Sequence, residues 1–218
     1  MPNSTPTVGS STYARIKHDI IFGILEPGAK LKLDALKARY DASLSTLRET
    51  LNRLVSDGFV EAPAQRGFLV KPVSRADMEE IAELRILLET HALRLSIANG
   101  DTEWEGNLVA AHHKLHVMEE RMRAGEESEK ETWKRYDWEF HLAMIAACGS
   151  QNLMSLHRTL FDKYQRYQNL VLTYRGEIAA REHKVMFEAA LDRKPQAAAE
   201  MLEEHVRKGL AHTLAALD

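Results

Sequence analysis

Residues 43–73, "SLSTLRETLNRLVSDGFVEAPAQRGFLVKPV", change their periodicity partway along. In the first half Leu47, Leu51, Leu54 and Val55 recur at helical spacing, which makes one face of a helix apolar. Ser43 or Ser45 can cap its start by accepting a hydrogen bond from a first-turn N–H that the helix leaves unpaired. Gly58 can stop it, because glycine enters the left-handed conformation that closes many helices. In the second half "FVEA" and "GFLVKPV" are short β-prone runs on either side of a turn that holds Pro63 and Gly67. The stretch predicts a helix followed by a two-stranded hairpin.

Upstream, "STYARIKHDIIFGIL" predicts another helix, with Ile16, Ile20 and Ile24 on one face and Tyr13 a turn earlier. "EPGAK" ends it, since proline and glycine resist continuing a helix. "KLDALKARY" reads as a short second helix carrying Leu33 and Leu36, and "DAS" separates it from the third. Three short helices and a hairpin in this order have the plan of a winged helix-turn-helix, whose third helix lies in the DNA major groove. A small helical subdomain with a hairpin attached is the competing reading, and the order and lengths of the elements favour DNA binding.

From Ser74 onward no strand pattern is found. "SRADMEEIAELRILLETHALRLSIANG" opens on a serine able to cap and carries Met78, Ile81, Leu84, Leu88, Leu95 and Ala98 at positions that suit a helix. Further helical blocks fall at about 101–124, 131–148, 152–174, 177–193 and 196–216, punctuated by "NGD", "AGEES", "GSQN", "RGE" and "RKP". The expected fold is mainly α: an N-terminal winged helix-turn-helix with a short β-hairpin wing, then a C-terminal all-α bundle of six or seven helices. The expected division is a disordered lead-in over 1–10, a DNA-binding domain over 11–73 and a helical domain over 74–218.

Composition narrows the function. Of 218 residues, 44% are hydrophobic and 28% charged, the profile of an ordinary soluble globular protein. The single cysteine, Cys148, excludes an internal disulfide framework. No apolar run reaches the length of a membrane span, and "MPNSTPTVGSS" lacks the basic and apolar regions of a signal peptide, so the cytoplasm is expected. The net charge of −3 divides unevenly: residues 11–73 hold ten Lys/Arg against seven Asp/Glu, and residues 74–218 nineteen against twenty-five. A mildly basic front on an acidic remainder hints at two jobs.

The helix around "DWEFH", residues 137–141, places Trp133, Asp137, Phe140, His141, Met144 and Cys148 on one face. Asp137 and His141 would point into the bundle, where an unpaired charge is costly. His183 shares a face with Ala180, Phe187 and Ala190, and His205 follows Met201 and Leu202 on its own helix. Three imidazoles and one carboxylate from three helices could converge on a divalent ion. The motif alone fits a hydrogen-bonded core pair as well, and both readings stay open. "HHKLH", residues 112–116, has surroundings that suit an exposed helix.

The chain resembles the GntR family of bacterial transcription regulators in "GILEPGAKL", "SLSTLRETLNRLVSDGFV" and "QRGFLV". Its remainder is similar to the FCD ligand-sensing domain of the FadR-type branch in "ELRILLE", "DWEFH", "SQN" and "REHKVMFEAALDRKPQAAAEMLEEH". With a recognition helix starting here, Ser43, Ser45, Thr46 and Arg48 stand nearest the DNA, with Arg66 and Gly67 at the wing tip. The resemblance implies that Arg48 contacts a base or phosphate; the alternative is a salt bridge. Leu44 stands where many family members carry an arginine, so the usual operator preference does not carry over intact.

The resemblance also implies a metal. Many FCD domains carry an aspartate and three histidines in these motifs, and Asp137, His141, His183 and His205 each match. Three nitrogens and one oxygen suit Zn²⁺ or Ni²⁺ better than Ca²⁺ or Mg²⁺. An open position would take a small carboxylate effector, with Arg85 as its cationic partner; the alternative for Arg85 is an intrahelical pair with Glu89. Asn152 is a further candidate contact, or a helix cap. The implied function is a metabolite-responsive transcription regulator, a repressor rather than an enzyme. It would act as a homodimer on a palindromic double-stranded DNA operator, in the cytoplasm and on the nucleoid when bound. The alternative is a metal-dependent hydrolase or lyase using the His3Asp set. Against it, no general base stands beside those ligands, and "HExxH", "GxSxG" and a Gly-rich phosphate loop are absent.

Overall fold

The structure, a computed structural model, describes residues 8–171 and 175–217 and is mainly helical. Its elements are α1 (Val8–Ile21), β1 (Lys30–Leu31), α2 (Leu33–Tyr40), α3 (Leu44–Ser56), β2 (Val60–Glu61), β3 (Phe68–Val70), α4 (Arg75–Asn99), α5 (Thr102–Arg123), α6 (Lys130–Ile145), α7 (Gln151–Val171), α8 (Glu177–Leu191) and α9 (Pro195–Leu217). Two compact units result. One runs to Met78 and includes Asp162–Val171; the other holds Glu79–Phe161 and the chain beyond Val171.

In the first unit α1 packs on α3, and Ile16, Ile20, Leu47, Leu51 and Leu54 are fully buried in one apolar cluster. Fully burying such side chains contributes about 1.5–3 kcal/mol each relative to leaving them exposed. Helix α1 stops at Ile21, and Gly23 takes φ 72°, a conformation that glycine reaches without steric cost. Ile24 therefore falls past the helix and is exposed, not on its apolar face as the sequence predicts. Of the predicted lead-in, residues 1–7 lie outside the described residues, while Val8–Ser10 already belong to α1.

Ser43 caps α3, its hydroxyl accepting from the Thr46 N–H at 3.1 Å, and Gly58 closes the turn after the helix with φ 77°. The predicted hairpin forms between β2 and β3, with Val60 opposite Val70. A third strand joins it: β1 pairs antiparallel with the other edge of β3, giving the order β1-β3-β2. A strand of two residues is too short for alternation to reveal it. The last part of α7 belongs to this unit: Lys17 pairs with Asp162 at 2.5 Å, and the Asn169 amide donates to the Ile21 carbonyl at 3.1 Å.

The second unit contains no strand among its described residues. Helix α5 packs on α6 and on α8, and α8 on α9. Six α-helices, α4 to α9, account for the chain after Ser74 among the described residues. Asp101 caps α5 by accepting from the Trp104 N–H at 2.9 Å, and Ser150 caps α7 by accepting from the Leu153 N–H at 3.2 Å. The buried stripe of α4 is Ile81, Ala82, Ile86, Ala92, Leu93 and Ile97. Leu84, predicted on the apolar stripe, is 41% exposed, whereas Arg85 and Glu89 are buried.

Candidate functional site

Helix α6 carries Asp137 and His141 one turn apart, α8 carries His183, and α9 carries His205. All four are buried in the second unit. The three imidazoles meet: each offers a ring nitrogen within 4.8 Å of the others. Their ring centroids lie 5.7 Å apart for His141 and His183, 5.3 Å for His141 and His205, and 4.6 Å for His183 and His205. Asp137 stands at the edge of this group, its Oδ1 3.4 Å from His183 Nε2.

Behind the imidazoles stand glutamates. Glu119 of α5 lies 2.6 Å from His183 Nδ1, and Glu182 of α8 lies 2.8 Å from His205 Nδ1. A carboxylate accepts, so Glu119 fixes His183 with the proton on Nδ1 and the lone pair on Nε2. His141 Nδ1 has Arg85 at 3.3 Å and the Glu89 carboxylate at 3.6 Å. The Nε2 atoms of His141 and His183 are buried without a hydrogen-bond partner among the described residues. That is a costly arrangement unless something electrophilic fills it. Asp137 Oδ1 and His183 Nε2 then face each other as two lone-pair atoms. A tetrahedral ion with ligands about 2.1 Å away sets neighbouring ligands about 3.4 Å apart. The donor set therefore fits a divalent transition metal.

Electrostatics prepare the same chemistry. Burial, with His183, His141, Arg175 and Arg85 around it, holds the His205 pKa well below the usual histidine range. His141 is lowered by burial and Arg85, against the pull of Glu89 and Asp137. Neutral imidazole is the form that ligates. Burial alone would raise the Asp137 pKa, but Lys134, His141, His183 and Arg85 outweigh it and keep the carboxylate ionised.

Arg85 makes the predicted intrahelical pair, its Nε donating to Glu89 at 2.9 Å, and still has a guanidinium nitrogen beside His141. A guanidinium can meet a carboxylate through two parallel N–H groups. Asn152 is not gathered into the cluster: it is exposed near the start of α7, whose cap is Ser150. The sequence reading missed Glu119 and Glu182, since nothing in a helical glutamate's spacing marks it as buried. It also missed His157, fully buried with Nε2 2.5 Å from Glu89, and Arg175, 2.5 Å from Glu182 and 3.1 Å from His205 Nδ1. Of "HHKLH", His113 and His116 are exposed, but His112 is half-buried and stacks on Phe187 at 4.1 Å.

In the first unit Ser43, Leu44, Ser45, Arg48 and Glu49 are exposed at the start of α3. Ser43 Oγ also bonds the hydroxyls of Ser45 and Thr46 at 2.8 and 2.9 Å. Arg48 has no ion pair among the described residues. At the β2–β3 turn Arg66 is exposed, its N–H donating to Pro63 at 3.0 Å, and Gly67 takes φ 75°.

Comparison with known proteins covers both units. The family model "Bacterial regulatory proteins, gntR family" matches residues 9–70, and the FCD domain model matches residues 80–208. The HTH-type transcriptional regulator BphR of Paraburkholderia xenovorans is 34% identical over 92% of this chain and 83% of its own. The HTH-type transcriptional repressor GlaR of Escherichia coli is 32% identical over 89% of this chain and 90% of its own. The solved structure of E. coli McbR/YncC, at 19% identity, shares the fold with a TM-score of 0.83 over 98% of this chain and 100% of that one.

Proposed function

The chain belongs to the GntR family of bacterial regulatory proteins and carries an FCD domain, and on that premise we propose that it is a metabolite-responsive repressor. Residues 11–73 form the DNA-binding domain in this reading, and residues 74–218 the sensing and dimerising one. Asp137, His141, His183 and His205 hold one divalent transition metal, Zn²⁺ or Ni²⁺. The observation that carries the proposal is the meeting of three buried imidazoles from three helices, two of them with Nε2 atoms unpartnered among the described residues. When bound, the ion supplies a Lewis-acidic position for a carboxylate oxygen of a small organic acid. Arg85 then meets the acid's second oxygen. Asn152 stays outside the proposed set because it is exposed.

On the DNA side, a homodimer presents two α3 helices to half-sites about one helical turn apart on a palindromic operator. Ser43, Ser45 and Thr46 face phosphates, Arg48 a guanine edge, and Arg66 with Gly67 the backbone beside the wing. The effector regulates by binding one arrangement of the protein more tightly than the other. That job places the protein in the bacterial cytoplasm, on the nucleoid when bound. The relatives that match along most of the chain are regulators, so the His3Asp set is read as sensing rather than catalytic. Genomic footprinting of the purified full chain, Zn²⁺-loaded and chelator-stripped, tests the proposal. Discrete palindromic sites are expected with loaded protein, and protection without any discrete site would overturn it.

A further inference from the structure

The buried side of α3 is the row Leu47, Leu51 and Leu54, and Leu44 stands one turn ahead of it on the same face; Ser45, Arg48, Glu49 and Asn52 lie away from the row and are exposed. Unlike the rest of its row, Leu44 is exposed too. It is the first residue of the helix, and Ser43 pins it from behind through the cap on Thr46. It does not belong to the apolar cluster that holds this unit together, nor to the half-buried residues packed against it, among the described residues. Its side chain is 37% exposed at the end of a recognition helix that stands nearest the bases.

What a leucine can read there is narrow. It has no donor or acceptor, and the apolar feature of the major groove is the C5-methyl of thymine. Against the N7 and O6 acceptors of guanine, or the amino groups of adenine and cytosine, it would displace water and return no hydrogen bond. Arg48 lies four residues on, about 6 Å along the helix axis at 1.5 Å per residue. Base pairs are spaced about 3.4 Å, so the two side chains sample positions roughly two base steps apart.

We infer that each operator half-site carries a thymine, read through its methyl group by Leu44, within about two base pairs of the guanine read by Arg48. The inference rests on the DNA-binding reading and specifies what that site recognises. The test is selection from a random double-stranded DNA library with the full chain, followed by affinity measurements on the enriched duplex. Wild type is expected to enrich a thymine at that distance from a guanine. Replacing that thymine by uracil, which removes only the methyl, is expected to weaken binding about fourfold per half-site, equivalent to ~0.8 kcal/mol per buried methyl-sized group. Leu44→Ala loses both the thymine preference and the uracil effect while keeping the guanine, and Leu44→Arg selects guanine in place of thymine. A motif without the thymine, an unchanged affinity with uracil, or the same motif from Leu44→Ala would each overturn the assignment. No enriched sequence at all from folded wild type would overturn the DNA-binding reading, and this inference with it.

Discussion

At the residue scale the proposed metal site depends on groups outside its four proposed ligands. Glu119, buried on α5, accepts from His183 Nδ1 and so turns the lone pair of Nε2 toward Asp137. Glu119→Gln keeps the size but removes the charge that fixes this tautomer. Zn²⁺ affinity is expected to fall about 10- to 100-fold, the usual cost of losing such an outer partner. Competition against a chromophoric chelator reads it, with circular dichroism confirming the fold; equal affinity would mean that Glu119 does not set the tautomer. On the DNA side, Arg48→Ala removes an exposed cation with no partner among the described residues. A bidentate guanine contact is worth about 1–3 kcal/mol, so specific operator binding in a gel shift at physiological salt should largely disappear. Undiminished specific binding would remove Arg48 from the reading helix's contact set. Asp137 and the histidines were legible as candidates because polar residues recur on apolar helix faces. Glu119 was not, because its burial is a property of the neighbouring helix.

Among the elements, α4 shows where periodicity misleads. Leu84 and Leu87 face outward, while Arg85 and Glu89 one turn apart are buried. The charged pair is held together at Glu89 Oε1, which accepts from Arg85 at 2.9 Å and lies 2.5 Å from His157 Nε2. Hydrophobicity alone assigns that helix the wrong phase near Leu84. In the first unit, the segment entering α4 is tied to the end of α7 through Asp77, which accepts from Tyr167 at 2.6 Å and from Lys71 at 2.6 Å. Burial raises the Asp77 pKa, but the Lys71 and Tyr167 hydrogen bonds outweigh it and leave it below the ordinary 3.8. A carboxyl lowered on folding contributes stability above its unfolded pKa and loses it as pH falls through the folded value. Urea midpoints taken between pH 6 and pH 3 should therefore fall more steeply for wild type than for Asp77→Asn below about pH 4. Parallel acid limbs would show that this node contributes nothing.

For the whole molecule, a ligand that binds only the folded chain raises its stability by mass action. Zn²⁺ held at about a hundredfold over its dissociation constant should add about 2.7 kcal/mol, visible as a higher Tm that a chelator reverses. His183→Ala should lose that gain, and a Tm indifferent to Zn²⁺ in wild type would contradict the four-residue metal set. Sequence by itself determined the order of the helices and of the β2–β3 hairpin, a serine cap at the start of α3, the stop at Gly58 and the chemical types available for a site. These are local matters, settled by side-chain spacing and backbone freedom within a few residues. Tertiary structure decided that β1 completes a three-stranded sheet, that Ile24 lies outside α1, and that glutamates back two of the imidazoles. It also decided that His141, His183 and His205 meet. The physical reason is that the rotation of each helix about its axis is set by the side chains packed against it. A residue's own period tells which face it shares, but only the packed neighbours tell what that face meets.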